Sequence, residues 1–452
     1  MIGTHKAKLA ICLAVFGLLG PVAGFAPAAQ DEPVDGQLQL VIQFISDPDR
    51  ETRAMGLQYV REEVPGEAAT GALAALLPEL SPDGQAELLE ALGDRGDVAA
   101  RPAVLEMLQS QRGAVRAAAL RALGALGDAS AVPLLARKAA PSDLEQQAAR
   151  QSLVRLRGEE VNAAVLAALG EGDAKTRVEL LGVLAARNAK EALPAVLESA
   201  ADPEPSVRTA AIEALRFLAD ESHTAALVDV LKAAGDDAER GKAELALLTV
   251  CTRGREVCSD ALIAGLADAD VPARIVLLHG LARAGGAVAL EAVAARLEDD
   301  DKDVRDEAVR MLSAWPDPAV APMLVNIAES AWNSRHQVLA IRGLVRLASP
   351  QGENPADLEM LTQAMSLAKR PQEKRLALGV LSGVATPSAL ALVVTRLDDL
   401  SLAEEAALAA VMIAEKIEGG AEEEIRSAME KVVRQTKSEE VRQRAQKVLE
   451  SL

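Results

Sequence analysis

The stretch VRAAALRALGALGD, Val115–Asp128, decides the fold because it is written again further along the chain. VRTAAIEALRFLAD occupies Val207–Asp220, and VRDEAVRMLSAWPD occupies Val304–Asp317. Counted from the arginine of each VR pair, apolar residues stand four, seven and ten places on. They are Leu120, Leu123 and Leu126 after Arg116, Ile212, Leu215 and Leu218 after Arg208, and Val309, Leu312 and Trp315 after Arg305. Spacings of three and four place such side chains on one stripe of a helix.

The three anchors lie 92 and 97 residues apart, about three periods of roughly 31 residues each. The intervening copies are present. Gln146 leads to Arg150, Leu153 and Leu156, Arg177 to Leu181 and Leu184, and Arg274 to Leu278 and Leu281. Weaker copies start at Arg53, Gln85, Arg240, Gln337, Lys374, Glu404 and Arg442, so that thirteen anchors follow one another at intervals of 30 to 38 residues. A second helix precedes each anchor and is often opened by proline, as in RPAVLEML from Arg101, VPLLARKA from Val132, LPAVLESA from Leu193 and APMLVNIA from Ala321. Proline fits the first turn of a helix because its missing N–H has no partner to lose there. Acidic turns such as SDPDRE around Asp47, ADPEPS around Asp202 and DDDKD from Asp299 separate the two helices and supply capping side chains. One such pair cannot bury its own apolar face. Each needs a neighbour, so the copies form one another's core.

The pattern Asp-x-x-Val-Arg-x-x-Ala-x-x-Ala-Leu-x-x-Leu, preceded by a proline-started helix, resembles the HEAT-like repeats of the phycobilisome-lyase type. The likeness covers nearly all of residues 38–452. It is strongest over 98–220 and 287–317, and weaker over 235–260 and after Gln351, where ASPQGENPAD inserts several residues. It implies an all-α protein, an α–α superhelix of about 13 helical hairpins in the HEAT or armadillo manner, with the second helices lining its concave side. Most members of such families are scaffolds or recognition surfaces, and a minority assist covalent attachment of bilin pigments.

Composition agrees with helices. Half of the 452 residues are apolar and only 2% are aromatic, so alanine and leucine carry the apolar surface and strand signals are scarce. The formal net charge is −19, and it becomes −21 without residues 1–28, which hold Lys6 and Lys8 but no acid. So acidic a chain repels phosphate backbones and anionic lipid, which argues against nucleic acid and membrane surfaces as partners.

The N-terminus carries an address. Basic residues (His5, Lys6, Lys8) precede an apolar run from Leu9 to about Leu19, then Pro21, Gly24 and the small residues Ala26–Ala28. This is the order of a secretory signal peptide. The expected organisation is a signal over 1–29, a short linker over 30–37 and the solenoid over 38–452, with the mature protein exported to the periplasm or the cell exterior. Retention of the run as an anchor is the other reading, though it is shorter than the roughly 20 residues of a membrane span. No later segment could cross a bilayer.

Candidate residues for chemistry are few. Arg53, Arg116, Arg177, Arg208, Arg240, Arg274 and Arg305 are expected to pair with the acidic turns that precede such anchors and to build a structural Asp–Arg ladder within and between repeats. Cys251 and Cys258, in CTRGREVC, are the cysteines left once the signal is removed. An exported protein permits a disulfide between them, and two buried thiols are the alternative. They lack the neighbouring ligands for zinc. His223, His279 and His336 stand in separate repeats, as ordinary surface or half-buried residues. EDDDKD from Glu298 lacks the glycine and closing glutamate of a calcium loop and is expected to be a capped turn. Trp315 belongs to the core stripe, whereas Trp332, in ESAWNSRHQ near a turn, is the candidate partner-binding residue. Glycines are expected at helix ends. There is no phosphate loop, no nucleophile elbow and no metalloprotease motif. The sequence therefore points to a non-catalytic scaffold without cofactor or metal, binding a protein or peptide on its concave face. A lyase-like handler of a bilin chromophore and a purely structural envelope protein are the alternatives.

Overall fold

A computed structural model of the chain describes residues 32–139, 144–330, 333–350 and 355–452. Its α-helices alternate in thirteen pairs, and every anchor read from the sequence lies in the second helix of a pair. The series of second helices runs from Arg50–Glu62, holding Arg53, to Glu439–Ser451, holding Arg442. The apolar stripe is buried as the spacing requires. Leu120, Leu123, Leu126, Ile212, Leu215, Leu218, Val309, Leu312 and Trp315 are all closed to solvent. Within each unit second helices pack on first helices of their own pairs and on the second helices beside them, which is how successive copies make a common core.

The turns are fixed by side chains of the kind the sequence offers. Asp49 accepts from the Thr52 amide at 2.9 Å, Asp173 from Thr176 at 2.8 Å, Asp236 from Glu239 at 2.8 Å and Asp270 from Ala273 at 2.9 Å, each opening a second helix. Asp301 does the same for Lys302–Ala314, so EDDDKD is a capped turn. A second capping site, not foreseen, lies before many first helices. Asp97, Asp128 and Asp317 each accept from the amide two residues on, at 2.9–3.0 Å, and start a single 3-10 turn that feeds the proline-opened helix. Acid at a helix N-terminus also meets the positive end of its dipole.

Packing gathers the chain into two compact units, the first ending at Ala164 and the second beginning at Val165. In a linear array each pair touches only its neighbours, so no single core need span the whole. The signal region 1–29 lies outside the described residues. The linker expected over 30–37 is partly helix. Glu32–Ile45 forms the first helix, because Val41 and Ile45 bury its face and no proline halts it between 34 and 38. No helix among the described residues is long and apolar enough to cross a membrane.

Candidate functional site

The anchor arginines form a ladder, though with other partners than the acidic turns alone. Within its own repeat an anchor holds backbone. Arg208 Nη1 donates to the carbonyls of Asp202 and Pro203 at 3.0 and 3.1 Å, and Arg53 and Arg116 hold the turns before them in the same way. Between repeats it reaches a carboxylate. Arg53 donates to Glu87 at 2.7 Å, Arg116 to Glu145 at 2.6 Å and Arg208 to Glu239 at 2.8 Å, each acceptor standing on the next second helix. Arg177 pairs with Asp202, and Arg274 with Asp299 at 2.7 Å, both acceptors in the next turn. The acceptors Glu239 and Asp299 are buried, so each depends on its arginine for compensation. Burial pushes the Glu145 carboxyl up, and Arg116 and Lys138 together outweigh it, leaving the group below its ordinary range. Two rungs differ. Among the described residues Arg240 pairs with Asp237 of its own helix alone, and Arg305 reaches the carbonyls of Asp299 and Asp300 without a carboxylate.

In the first unit the second helices also meet backbone to backbone. A Cβ placed on Gly124 would stand 2.9 Å from Ser152 Cα, and one on Gly93 would stand 3.0 Å from Ala122 Cα. Ser152 Oγ donates across this gap to the Leu120 carbonyl at 2.6 Å. These two glycines lie inside helices, not at their ends as expected, because a neighbouring helix occupies the space of a side chain.

The second unit presents a different surface. Its second helices Pro205–Leu218, Asp237–Gly254, Val271–Ala284, Lys302–Ala314 and Ser334–Ala348 pack in sequence, and the stripe opposite the core faces outward. Five places after the anchor this stripe carries Glu213, Leu245, His279, Arg310 and Arg342. Glu213 pairs with Lys242. His279 bridges two helices, its Nδ1 at 2.6 Å from Glu244 and its Nε2 at 2.9 Å from Glu307, and Arg310 binds Glu307 from the other side at 2.8 Å. Glu307 raises the His279 pKa above its ordinary value against the opposing effect of burial, with Glu244 adding to the rise. Burial raises Glu307, but His279 and Arg310 hold it below the usual carboxylate range. One helix further on, His336 Nε2 lies 2.7 Å from Asp306, which Lys302 also binds at 2.6 Å. Among these charged pairs stand two exposed apolar side chains. Phe217 is 58% exposed with the Arg216 guanidinium 5.4 Å above its ring, and Leu245 is 46% exposed. Nothing in this arrangement resembles a nucleophile with its base. It offers apolar anchors set in a polar frame, the composition of a protein-recognition patch.

The remaining sequence candidates fall as follows. Cys251 and Cys258 are two free, buried thiols, not a disulfide. Both complete the apolar packing at the end of Asp237–Gly254, Thr224 Oγ1 donates to Cys258 Sγ at 3.3 Å, and burial pushes the Cys251 thiol far up, the neighbouring Cys258 adding to it. Trp332 lies outside the described residues, and Trp315 is core. His223 caps its own turn through Asp220 at 2.7 Å. His279 and His336 are more than incidental polar residues, since each ties its helix to a carboxylate of another repeat. Aligning the repeats on their anchors would have found this, because Glu244, His279 and Glu307 occupy places four, five and two of successive copies. Phe217 had a weaker signal, as an aromatic at place nine, off the core stripe. Among the described residues no cluster of three or more His, Cys, Asp or Glu side chains is arranged to hold a metal ion.

No curated protein matches the chain. Solved structures similar to it include the karyopherin Kap121p bound to the SUMO protease Ulp1p, at 15% identity and a TM-score of 0.47, and Kap121p bound to RanGTP, at 15% and 0.44. Each superposition covers 93% of this chain and 57% or 56% of the other, so the chain spans little more than half the length of those proteins. HEAT repeats match residues 69–154, 162–248 and 259–345, more than half of the chain, in register with the helical pairs described above. The chain belongs to the HEAT-repeat family.

Proposed function

We propose that this protein is a non-catalytic scaffold that binds another protein outside the cytoplasm, through the outward face of the second helices in its second unit. One observation carries the reading. On that face the charged side chains are engaged with one another across helices, while Phe217 and Leu245 are left open to solvent on adjacent helices. Exposed aromatic and aliphatic side chains in a satisfied polar frame are where binding energy concentrates at protein interfaces. Membership in a repeat family built for extended contact supports the class of partner, since stacked repeats offer long surfaces of this kind. The order of basic, apolar and small residues over 1–29 supports export.

The test is affinity capture with the protein from residue 30 onward, incubated with the envelope fraction of its own cells and read by mass spectrometry. A Phe217→Ser, Leu245→Ser double variant runs in parallel. The proposal expects an abundant protein retained by the natural sequence and lost from the double variant, with melting temperatures within about 2 °C of each other, since exposed substitutions change stability little. Equal retention by both proteins would remove this face from the account.

A further inference from the structure

The broken rung at Arg305 opens a site. Where Arg116 and Arg208 find Glu145 and Glu239 one residue before the next anchor, Arg305 finds His336 in the same place. His336 is buried and its Nε2 turns to Asp306, so it supplies no acceptor to the arginine. Among the described residues, Arg305 reaches the carbonyls of Asp299 and Asp300 through Nη1 at 2.5 and 2.8 Å, and no carboxylate lies within ion-pair distance of its guanidinium. The place of the missing glutamate is a cleft of about 640 Å³ lined by Arg305 and His336, by Val309, Ile327 and Asn326, and on its acidic side by Glu298, Asp299 and Asp300.

We propose that this cleft is a recognition pocket for a single carboxylate side chain, presented by a partner polypeptide and flanked there by basic residues. The guanidinium retains a fork of N–H donors suited to a carboxylate, and binding would complete the rung that Arg53, Arg116, Arg177, Arg208 and Arg274 complete from within the chain. The flanking requirement comes from the acids in the cleft's own lining, Glu298, Asp299 and Asp300. Asp299 is already neutralised by Arg274 at 2.7 Å, but Glu298 and Asp300 are exposed acids without a cation. They repel polyanions and phosphate and attract lysine or arginine on either side of the bound acid. The inference rests on the partner being a polypeptide, as proposed above. It does not involve Phe217 or Leu245, so the two readings fail independently.

The experiment titrates the whole protein with the capped peptide acetyl-Gly-Lys-Glu-Lys-Gly-amide and with its Gln counterpart, by calorimetry at low salt. The pocket predicts saturable binding of the Glu peptide and a loss of about tenfold or more with Gln, the size expected for one charge-assisted contact. Arg305→Gln should abolish the difference. His336→Glu, which returns the internal acceptor, should block the Glu peptide while the helical circular dichroism is retained. Because the Gln peptide is compared on the natural protein, the result does not depend on either variant folding. Equal binding of the two peptides, no binding of either, or displacement of the Glu peptide by inorganic phosphate at matched concentration would each overturn the proposal.

Discussion

At Gly124 in the first unit a helix backbone rests against Ser152. At His279 in the second, a ring stands between Glu244 and Glu307 on the helices either side. Both positions do the same job, joining one second helix to the next, with opposite chemistry. The first joint is close and made by the absence of a side chain. The second is polar and made by long side chains meeting above the backbone. The second unit does use the close joint as well, at Gly343 against the Ser313 carbonyl, yet its outward stripe is dominated by charge pairs. The close joint carries a charge pair of its own on this stripe, Arg121 with Glu90 at 2.8 Å. A polar joint leaves a patterned face, and it is there that Phe217 and Leu245 stand open.

The comparison can be broken most forcefully at the close joint. Gly124→Leu places a side chain where Ser152 already sits and should cost roughly 3 kcal/mol, read as a shift in the urea midpoint. An effect below about 0.5 kcal/mol would mean that the first unit tolerates separation of its helices. Next comes the ladder common to both units. Arg208→Ala strands the buried Glu239 and should cost about 2 kcal/mol, whereas Arg305→Ala removes only contacts to carbonyls and should cost less.

The polar joint should respond to pH, and the close joint should not. The His279 pKa is raised in the folded protein by Glu307 and Glu244, with Arg310 sharing Glu307. The stability it contributes is therefore full below the unfolded histidine value of about 6.5 and is lost as pH rises through the higher folded value. Glu307 acts in the opposite sense, since its lowered pKa stabilises above the ordinary glutamate range and that contribution is lost on acidification. The natural protein should thus lose melting temperature between pH 6 and pH 9 more than His279→Gln does. Parallel curves would show the bridge to be energetically silent. The smallest stability effect is expected at Phe217→Ala, within about 0.5 kcal/mol, because the ring is largely in water already. The Cys251 and Cys258 thiols should ignore a thiol reagent in the folded protein and both react in denaturant.

How much of this was legible in the sequence follows from which contacts are periodic. The anchors and the stripe at places four, seven and ten located every second helix, because helix periodicity and burial of Leu120 or Leu215 are local facts written in local spacing. The aspartates that cap the second helices were legible for the same reason, whereas Asp97, Asp128 and Asp317 before the first helices were not. The joints between repeats were not, because they depend on which side chains meet across some thirty residues. Gly93 and Gly124 look like any alanine-rich positions until a neighbouring helix is seen to fill their side-chain space. His279 looks isolated along the chain, and Glu244 and Glu307 come into view beside it only when the repeats are aligned on their anchors. Arg305 looks like every other anchor until His336 is found in place of a glutamate. The cysteine pair shows the limit from the other side, since spacing permitted a bridge and packing made two buried thiols.

The measurement that bears most directly on the account is photo-crosslinking from single sites in the mature protein. A benzophenone amino acid replaces Phe217 on the open face of the second unit, or Arg121 on the second helix Gly113–Leu126 of the first, and each protein is irradiated in its own envelope fraction. The account predicts a discrete protein adduct from position 217 and none above background from position 121. Adducts of equal yield from both sites, or from 121 alone, would contradict the claim that the second unit carries the binding face.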